Sequence, residues 1–330
     1  MKKHLAKLLA GGAIAALALT GCASGSPSGS SAATEGASGS AGGGLKDVTV
    51  GVLSIAPSAA MQYGIDEGIF KAHGLNVTLQ PGTGGAAMLP AVSTGTLNFA
   101  VGNPLSVMTA ATKGLDMKIV TGYSDSKAES DDINGVVVKK DSGITSWKDL
   151  EGKTTSVNAL KTQGDLTIMQ SAKLDGADPA KLKFNEMPFQ DMEAQLERGN
   201  TDAIWLPEPF LSRALAAGNT LVGYPNQTAV PGLPTMVTFS SGAYVKDNPE
   251  VVADFKAAME ETLAKAEANG DAVRALLPKF MGMDAAVAEK LKMETFDAEV
   301  KTSQLQELGK LMVEYKFVDQ EPDVAAMTVQ

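Results

Sequence analysis

Short apolar runs alternate with amphipathic segments between residues 48 and 120. β-branched runs and two-residue alternation predict strands, whereas apolar residues three or four positions apart predict helices. The predicted strands cover 48–53, 77–79, 97–101 and 117–120, and the predicted helices cover 59–72, the segment from Gly85 to Thr94, and 105–113. Gly74, Gly95 and Gly114 follow the helices as left-handed caps. This βαβαβαβ order predicts a parallel sheet flanked by helices.

A second run of the same kind follows. The predicted strands are 136–138, 154–157, 182–184 and 203–206, with helices at 145–150, 165–174, 191–198 and 210–217. After a strand at 235–239, helices are predicted at 250–269, 272–280, 285–292 and 303–318. From Leu45 onward about 286 residues remain, enough for one large or two medium domains of the α/β class.

The two runs share one local pattern. Residues 88–98 align without a gap with residues 192–202, and the alignment matches Met, a branched apolar residue, Gly, and Asn or Asp. Each copy reads as helix, glycine cap and strand, then a turn containing proline. The pattern indicates two lobes of like construction, with chance similarity between two βα units as the alternative. Pro90 in the first copy predicts a helix kink.

The N-terminus predicts an exported protein. Lys2, Lys3 and Lys7 precede an apolar run at 8–19 that is shorter than the roughly 20 residues a membrane-spanning helix needs. Residues 1–21 are therefore interpreted as a signal peptide. The sequence Leu19-Thr20-Gly21-Cys22 resembles the bacterial lipobox, which implies cleavage before Cys22 and lipidation of its thiol. Residues 22–44, rich in Gly, Ser and Ala, predict a flexible tether on the outer face of the cytoplasmic membrane, extracellular or periplasmic.

Charge and composition exclude several classes of protein. The formal charge of −10 becomes −13 without the three signal-peptide lysines, which argues against nucleic acid as a partner. His73 is the one histidine after the signal peptide and sits at a predicted helix end, where a capping role is favoured over catalysis. No His/Cys metal cluster can be assembled. We therefore predict no enzyme activity, no cofactor and no metal. The acidic residues Asp131, Asp132 and Glu186 are expected to lie on the solvated surface.

A glycine-rich loop at 82–87 has the spacing of a dinucleotide-binding turn. No Asp or Glu follows between Glu67 and Asp116, so the acidic residue expected about 20 positions on is missing. Residues 152–154 resemble the end of a phosphate loop, but they precede a strand rather than a helix. Both nucleotide-binding interpretations are set aside.

Five turns lie where a predicted strand meets a helix. Ligands of open α/β sheets bind at such carboxyl ends, where free N–H groups and the helix dipole attract hydrogen-bond acceptors. The turns are 54–57, 82–85, 102–104, 158–164 and 206–209, three in the first run and two in the second. Facing each other across a cleft, they would enclose a small solute. Trp205 could stack on that solute or fill core, and Lys161 could pair with an anion or lie on the surface.

Several segments carry a family resemblance. They are 64–75 (GIDEGIFKAHGL), 95–100 (GTLNFA), 141–144 (DSGI) with 148–153 (KDLEGK), and 205–210 (WLPEPF). Across residues 48–248 the chain resembles the substrate-binding proteins of nitrate/sulfonate/taurine importers, a type II periplasmic-binding-protein group related to thiamine-pyrimidine synthases. One loop departs from the family pattern, because Asn158-Ala159-Leu160-Lys161-Thr162 stands where Pro-x-Gly-Ser/Thr is frequent.

The resemblance implies two lobes with parallel-rich sheets flanked by helices, joined by a two-strand hinge. Lobe 1 would comprise residues 45–135 and 239–330, and lobe 2 residues 136–238, with crossings near 122–136 and 235–240. The resemblance also implies ligand contacts at positions that match those of the family. Tyr123 is added because it lies near the expected hinge. The expected contacts are Ser54, Thr83, Gly84, Asn103, Tyr123, Asn158, Thr162, Gln163 and Glu208.

The implied function is capture of a small solute and its delivery to an ABC permease and its ATPase by a monomeric protein. Two rivals are a thiamine-pyrimidine-synthase-like enzyme, which would use cysteines that this chain lacks, and a sensor ectodomain. The solute stays open. Among the possible solutes, a sulfonate, taurine or nitrate-like anion is slightly favoured. No arginine lies in the five turns, so such an anion would depend on backbone N–H groups. Glu208 would instead favour a zwitterion, a pyrimidine precursor of thiamine or another donor of N–H groups; an aromatic acid is a further alternative.

Overall fold

A computed structural model describes residues 44–330, which form one compact unit. The predicted signal peptide, the lipidation of Cys22 and nearly all of the tether lie outside the described residues. Within residues 44–330, no helix combines the length and apolarity that crossing a bilayer requires.

Eleven strands are described in this part of the chain. They are β1 (Lys46–Leu53), β2 (Leu75–Gly82), β3 (Phe99–Gly102), β4 (Met117–Asp125), β5 (Asn134–Val138), β6 (Thr154–Val157), β7 (Lys183–Glu186), β8 (Ala203–Pro207), β9 (Thr220–Gly223), β10 (Pro234–Ser241) and β11 (Thr295–Phe296).

The α-helices of the same residues cover the sheets. They are α1 (Ala59–Asp66), α2 (Ile69–Ala72), α3 (Gly85–Ser93), α4 (Pro104–Thr112), α5 (Gln163–Leu174), α6 (Phe189–Arg198), α7 (Phe210–Ala216), α8 (Pro225–Ala229), α9 (Gly242–Asp247), α10 (Pro249–Ala268), α11 (Gly270–Met281), α12 (Ala285–Glu289), α13 (Thr302–Glu314) and α14 (Val324–Met327). Short 3₁₀ turns lie at Ala56–Ser58, Lys148–Leu150 and Pro179–Lys181.

The strands form two sheets. The first has the order β11-β4-β10-β3-β1-β2 and the second β7-β6-β8-β5-β9. The α/β class and the architecture of two sheets flanked by helices are confirmed. Both sheets are mixed rather than simply parallel, because β10 inserts antiparallel between β3 and β4, and β5 runs antiparallel to β8 and β9.

The chain passes between the sheets twice. The first passage follows β4 and reaches β5 through residues 126–133, inside the predicted crossing. The second passage runs through α8 between β9 and β10. Residues 235–240, expected to cross, lie instead within β10, which pairs with β3 and β4 of the first sheet along its length.

The internal similarity corresponds to two equivalent βα units. Asn98 Oδ1 accepts the amide of Thr49 at 2.7 Å, and Asp202 Oδ2 accepts the amide of Thr154 at 2.8 Å. In both units the backbone amide of the Asn or Asp returns a bond of 3.0 Å to the same threonine's carbonyl. Gly95 and Gly199 precede these residues with φ of 76° and 75°, so each helix ends in a left-handed cap. The matched residues therefore perform the same local task in different sheets.

Pro90 is accommodated on an exposed face of α3, which continues from Gly85 to Ser93. The predicted helix 59–72 is interrupted, since Gly68 adopts φ of 72° between α1 and α2. His73, which follows α2, places Nε2 2.9 Å from a carboxylate oxygen of Glu261, so it links α2 to α10.

Candidate functional site

Four of the five predicted turns line one cavity of about 770 Å³ between the two sheets, here called the cleft. The first sheet contributes Ser54, the loop around Thr83 and Gly84, and Asn103. The second sheet contributes Asn158 and the loop that follows it, with residues 186–190 completing the wall. A Cβ placed on Gly84 would lie 3.6 Å from Asn158 Nδ2, so the two walls come within side-chain contact.

The start of α3 faces this cleft. Gly84 is its N-cap and supplies no side-chain hydrogen bond, and the first helical bond runs from the Met88 amide to the Gly84 carbonyl. The amides of Gly85, Ala86 and Ala87, all on the cleft wall, are therefore oriented toward a ligand's acceptors.

Two glycines bring α3 to this position. A Cβ on Gly102 would lie 2.7 Å from the Cα of Gly85, closer than real Cβ atoms approach a backbone. The end of β3 and the start of α3 consequently pack backbone to backbone.

The starts of α4 and α5 are already capped. Asn103 Oδ1 accepts the Ser106 amide at 2.9 Å. The Asp165 carboxylate accepts the amides of Lys161 and Thr162 at 2.7 and 2.8 Å. Burial raises the pKa of Asp165 to about 6 against the lowering effect of these bonds. A ligand oxyanion would compete with this carboxylate at α5, whereas α3 offers its amides without such competition.

Lys161 and Thr162 shape the loop between Asn158 and α5. Lys161 is exposed and has φ of 54°, a left-handed conformation that its amide bond to Asp165 supports. The Thr162 hydroxyl donates to the Ala159 carbonyl at 3.0 Å. Thr162 therefore lines the cleft while holding its own loop together.

Two predicted contact residues, Tyr123 and Glu208, line neither the cleft nor the smaller cavity that contains the predicted residue Gln163. Tyr123 is fully buried, and its hydroxyl donates to the Pro57 carbonyl at 2.9 Å. Glu208 is 1% exposed, and its carboxylate accepts from the amide and hydroxyl of Ser212 at 3.0 and 2.7 Å. The turn at 56–57 therefore receives the Tyr123 hydroxyl on the Pro57 carbonyl and donates the Ala56 amide to the backbone carbonyl of Glu208 at 3.3 Å.

A second cavity of about 50 Å³, here called the inner pocket, shares Leu53, Ile55, Asn103, Asn158 and Phe189 with the cleft. It is lined by the predicted residue Gln163 and by five side chains with polar atoms that were not among the expected contacts. These are Asn134, Trp205, Asn226, Thr235 and Glu294, of which Trp205 was expected either to stack on the solute or to fill core.

Trp205 belongs to the buried core and also lines this pocket. Its ring centroid lies 5.8 Å from that of Phe189, and its ring lies over Gly164, where a Cβ would approach within 2.7 Å. Among the described residues, its Nε1 has no hydrogen-bond partner although the side chain is buried.

Negative groups dominate the charge at this site. Among the residues that line the cleft, none is Lys or Arg, and Glu186 is the one carboxylate. Glu186 is exposed, as expected, and accepts the Leu160 amide at 3.0 Å. Asp132 contradicts its expected surface position, since it is 1% exposed and accepts the Ile133 amide at 2.9 Å. Burial raises the pKa of Asp132.

The cleft is not the largest cavity. One of about 840 Å³ is formed by residues 266–274 and 289–296 with Lys127, and none of the five predicted turns reaches it. Across residues 44–330, no group of three or more His, Cys, Asp or Glu side chains could hold a metal ion. The convergence of helix starts therefore identifies the cleft as the candidate site.

A protein-family model described as "NMT1/THI5 like" matches residues 57–272. That match begins after β1 and spans β2 to β4, the whole second sheet, both passages between the sheets, β10 and α10. Among curated protein sequences, none matches the chain.

Solved structures share the fold at low identity. The periplasmic aliphatic sulphonate-binding protein SsuA of Escherichia coli superposes with a TM-score of 0.68 at 18% identity, covering 86% of this chain and 97% of its own. The alkanesulfonate-binding protein SsuA of Xanthomonas axonopodis pv. citri, bound to MOPS, gives 0.73 at 14% identity, with 87% and 99% covered. The periplasmic nitrate-binding protein NrtA of Synechocystis PCC 6803 gives 0.68 at 12% identity, with 86% and 84% covered.

Proposed function

The chain belongs to the NMT1/THI5-like family, and from that premise we propose that it is the solute-binding lipoprotein of an ABC importer. It captures a small organic solute outside the cytoplasmic membrane and delivers it to a permease. The observation that carries this proposal is the cleft of about 770 Å³, where helix-start loops from two sheets meet. A concave site of this size suits a small molecule.

Capture uses movement of two lobes, one built on each sheet. Their bounds are close to the predicted 45–135 with 239–330 and 136–238, but all of β10 belongs to the first lobe and all of β5 to the second. Within residues 44–330, two chain passages join the sheets, through residues 126–133 and through α8. A solute that contacts both walls binds the closed arrangement better than the open one and shifts the population toward it. The closed form is then the one presented to the permease.

The favoured solute has a sulfonate-like anionic end. The uncapped start of α3 offers the amides of Gly85, Ala86 and Ala87, whose dipole favours an oxyanion. The structural neighbours named as sulphonate- and nitrate-binding proteins support the same class. Backbone N–H groups replace the arginine clamp that the cleft wall lacks.

The lipid anchor belongs to this proposal. Lipidated Cys22 would hold the body at the membrane through the tether that follows it. Replacing it (Cys22→Ser) is expected to move the protein from the membrane fraction to the soluble one, and retention at the membrane would contradict the anchor.

Calorimetric titration of the full chain tests the binding function. The panel contains taurine, ethanesulfonate, nitrate, an aromatic acid and an aminopyrimidine. At least one solute should bind with 1:1 stoichiometry, and Asn158→Ala should weaken it about tenfold or more by removing a polar group from the cleft. Asn76→Ala, on an exposed strand far from the cleft wall, is the matched control and should leave affinity unchanged. If no solute binds, or both variants behave alike, the proposal fails.

A further inference from the structure

Four polar groups without hydrogen-bond partners gather at the inner pocket. They are Gln163 Oε1, Asn226 Oδ1, Glu294 Oε2 and Trp205 Nε1, each without a partner among the described residues. Their side chains are at least nine-tenths buried, with Asn226 only 1% exposed. Buried polar groups are nearly always paired, so this concentration at one cavity indicates groups reserved for a ligand.

The unpartnered groups are mostly acceptors. Gln163 donates its Nε2 to the Pro234 carbonyl at 3.0 Å, which fixes the amide so that Oε1 is the atom left over. Glu294 receives Asn134 Nδ2 on Oε1 at 3.1 Å, which leaves Oε2 unpaired. When Glu294 is ionised, three acceptors therefore stand against one donor, the indole N–H of Trp205.

We propose that the inner pocket receives an amino or ammonium group of the transported solute. Gln163 Oε1, Asn226 Oδ1 and Glu294 Oε2 accept its N–H groups, and Glu294 supplies the negative charge. The proposal rests on the proposed solute-binding function and narrows its substrate class. A solute with its amine in the pocket and its oxyanion at the start of α3 is a small zwitterion.

The chemistry of the pocket limits the amine. A primary ammonium has three N–H donors, which matches the three unpartnered acceptors. A cavity of about 50 Å³ holds a group of about two non-hydrogen atoms, so a quaternary ammonium does not fit.

Methylammonium is the first probe, because it fits the pocket without needing the rest of the solute. In the full chain, methylammonium chloride should raise the Tm relative to sodium chloride at equal ionic strength, and tetramethylammonium chloride should not. The rise should disappear in Glu294→Gln, which keeps the side-chain shape, and in Asn226→Leu. It should persist in Glu250→Gln, an exposed glutamate on α10. A pocket that holds only water would give no difference between the salts, and that result overturns the proposal.

Taurine and ethanesulfonate form the second test, since they differ by one amino group. Taurine should bind at least tenfold more tightly to the wild-type chain, and Glu294→Gln should remove that preference. Equal affinities in the wild type would overturn the amine assignment while leaving solute binding in the cleft intact. Conversely, a Glu294-dependent effect of methylammonium without binding of any solute in the panel would preserve the inner pocket and reject the transport role.

Discussion

At the scale of single residues, Glu294 combines burial, charge and an unpaired oxygen. Burial, together with the nearby Asp132 charge, raises the pKa of its carboxyl to about 8. Tyr123 also faces it, and burial places the pKa of that phenol far above neutral. Lys127 and Lys292 lie beyond Glu294 in the neighbouring cavity, where Lys292 pairs with Asp131. Binding of a cation in the inner pocket would therefore be coupled to loss of the Glu294 proton.

The raised pKa of Glu294 predicts a stability profile. The folded state holds this proton up to about pH 8, whereas the unfolded carboxyl loses it near its ordinary pKa of 4.5. The contribution to stability is therefore complete below that lower value and is lost as the pH rises through about 8. Urea unfolding of ligand-free protein should show Glu294→Gln gaining stability relative to wild type between pH 5 and pH 8.5. A constant difference between the two proteins across this range would contradict the assignment.

At the scale of elements, the two equivalent βα units predict equal roles for Asn98 and Asp202. Replacing either by alanine removes the acceptor of one strand amide and should cost about 1 kcal/mol of unfolding free energy. The exchanges Asn98→Asp and Asp202→Asn keep an acceptor oxygen and should cost much less. Because the units lie in different sheets, the effects of the two alanine substitutions should add. Urea unfolding of the single and double variants measures these free energies. If only one of the two alanine substitutions lowered stability, the equal roles of Asn98 and Asp202 would be rejected.

The close packing of α3 on β3 gives another prediction. Gly102→Ala places a methyl group against the Gly85 backbone and should lower the unfolding free energy by about 1–3 kcal/mol. Gly270→Ala is the matched control, since its new Cβ would meet only the flexible Arg274 side chain at 3.7 Å. The control should be neutral or slightly stabilising in thermal unfolding. Equal changes in unfolding free energy for the two variants would show that the start of α3 does not pack closely on β3.

Local sequence patterns identified most elements, because β-branched runs such as that of β1 and glycine caps such as Gly95 act within a few residues. The strand β9 was missed because its four residues, all half-buried, show no alternation, and β11 was missed because two residues carry no periodicity. The insertion of β10 between β3 and β4 depends on pairing across more than a hundred residues. Local periodicity contains no information about such pairing.

The site was predicted only in part for a related reason. The turns of the cleft could be identified, because each joins a strand to a helix start. The inner pocket draws Asn134, Asn226 and Glu294 from separate parts of the chain, and Glu294 lies beyond the last residue of a predicted helix. Glu208 carries the family motif but caps α7 instead of lining the cleft, because Ser212 lies one helical turn away.

At the scale of the whole molecule, two mixed sheets share one cleft while the chain passes between them twice. The outer cleft offers backbone donors and the inner pocket offers acceptors, so the two ends of the site differ in chemistry. That polarity orients an elongated solute between the sheets. Closure of the lobes then depends on the solute touching both walls at once.

Amide hydrogen exchange with and without the tightest-binding solute of the panel measures directly whether the solute is enclosed between the two walls of the cleft. The account predicts slower exchange at both walls together, in residues 82–88 of the first sheet and 158–166 of the second. Residues 266–274 and 289–293, which line the cavity of about 840 Å³ away from Glu294, should be unchanged. Protection of one wall alone, or protection centred on that other cavity, would contradict the claim that the solute is enclosed between the sheets.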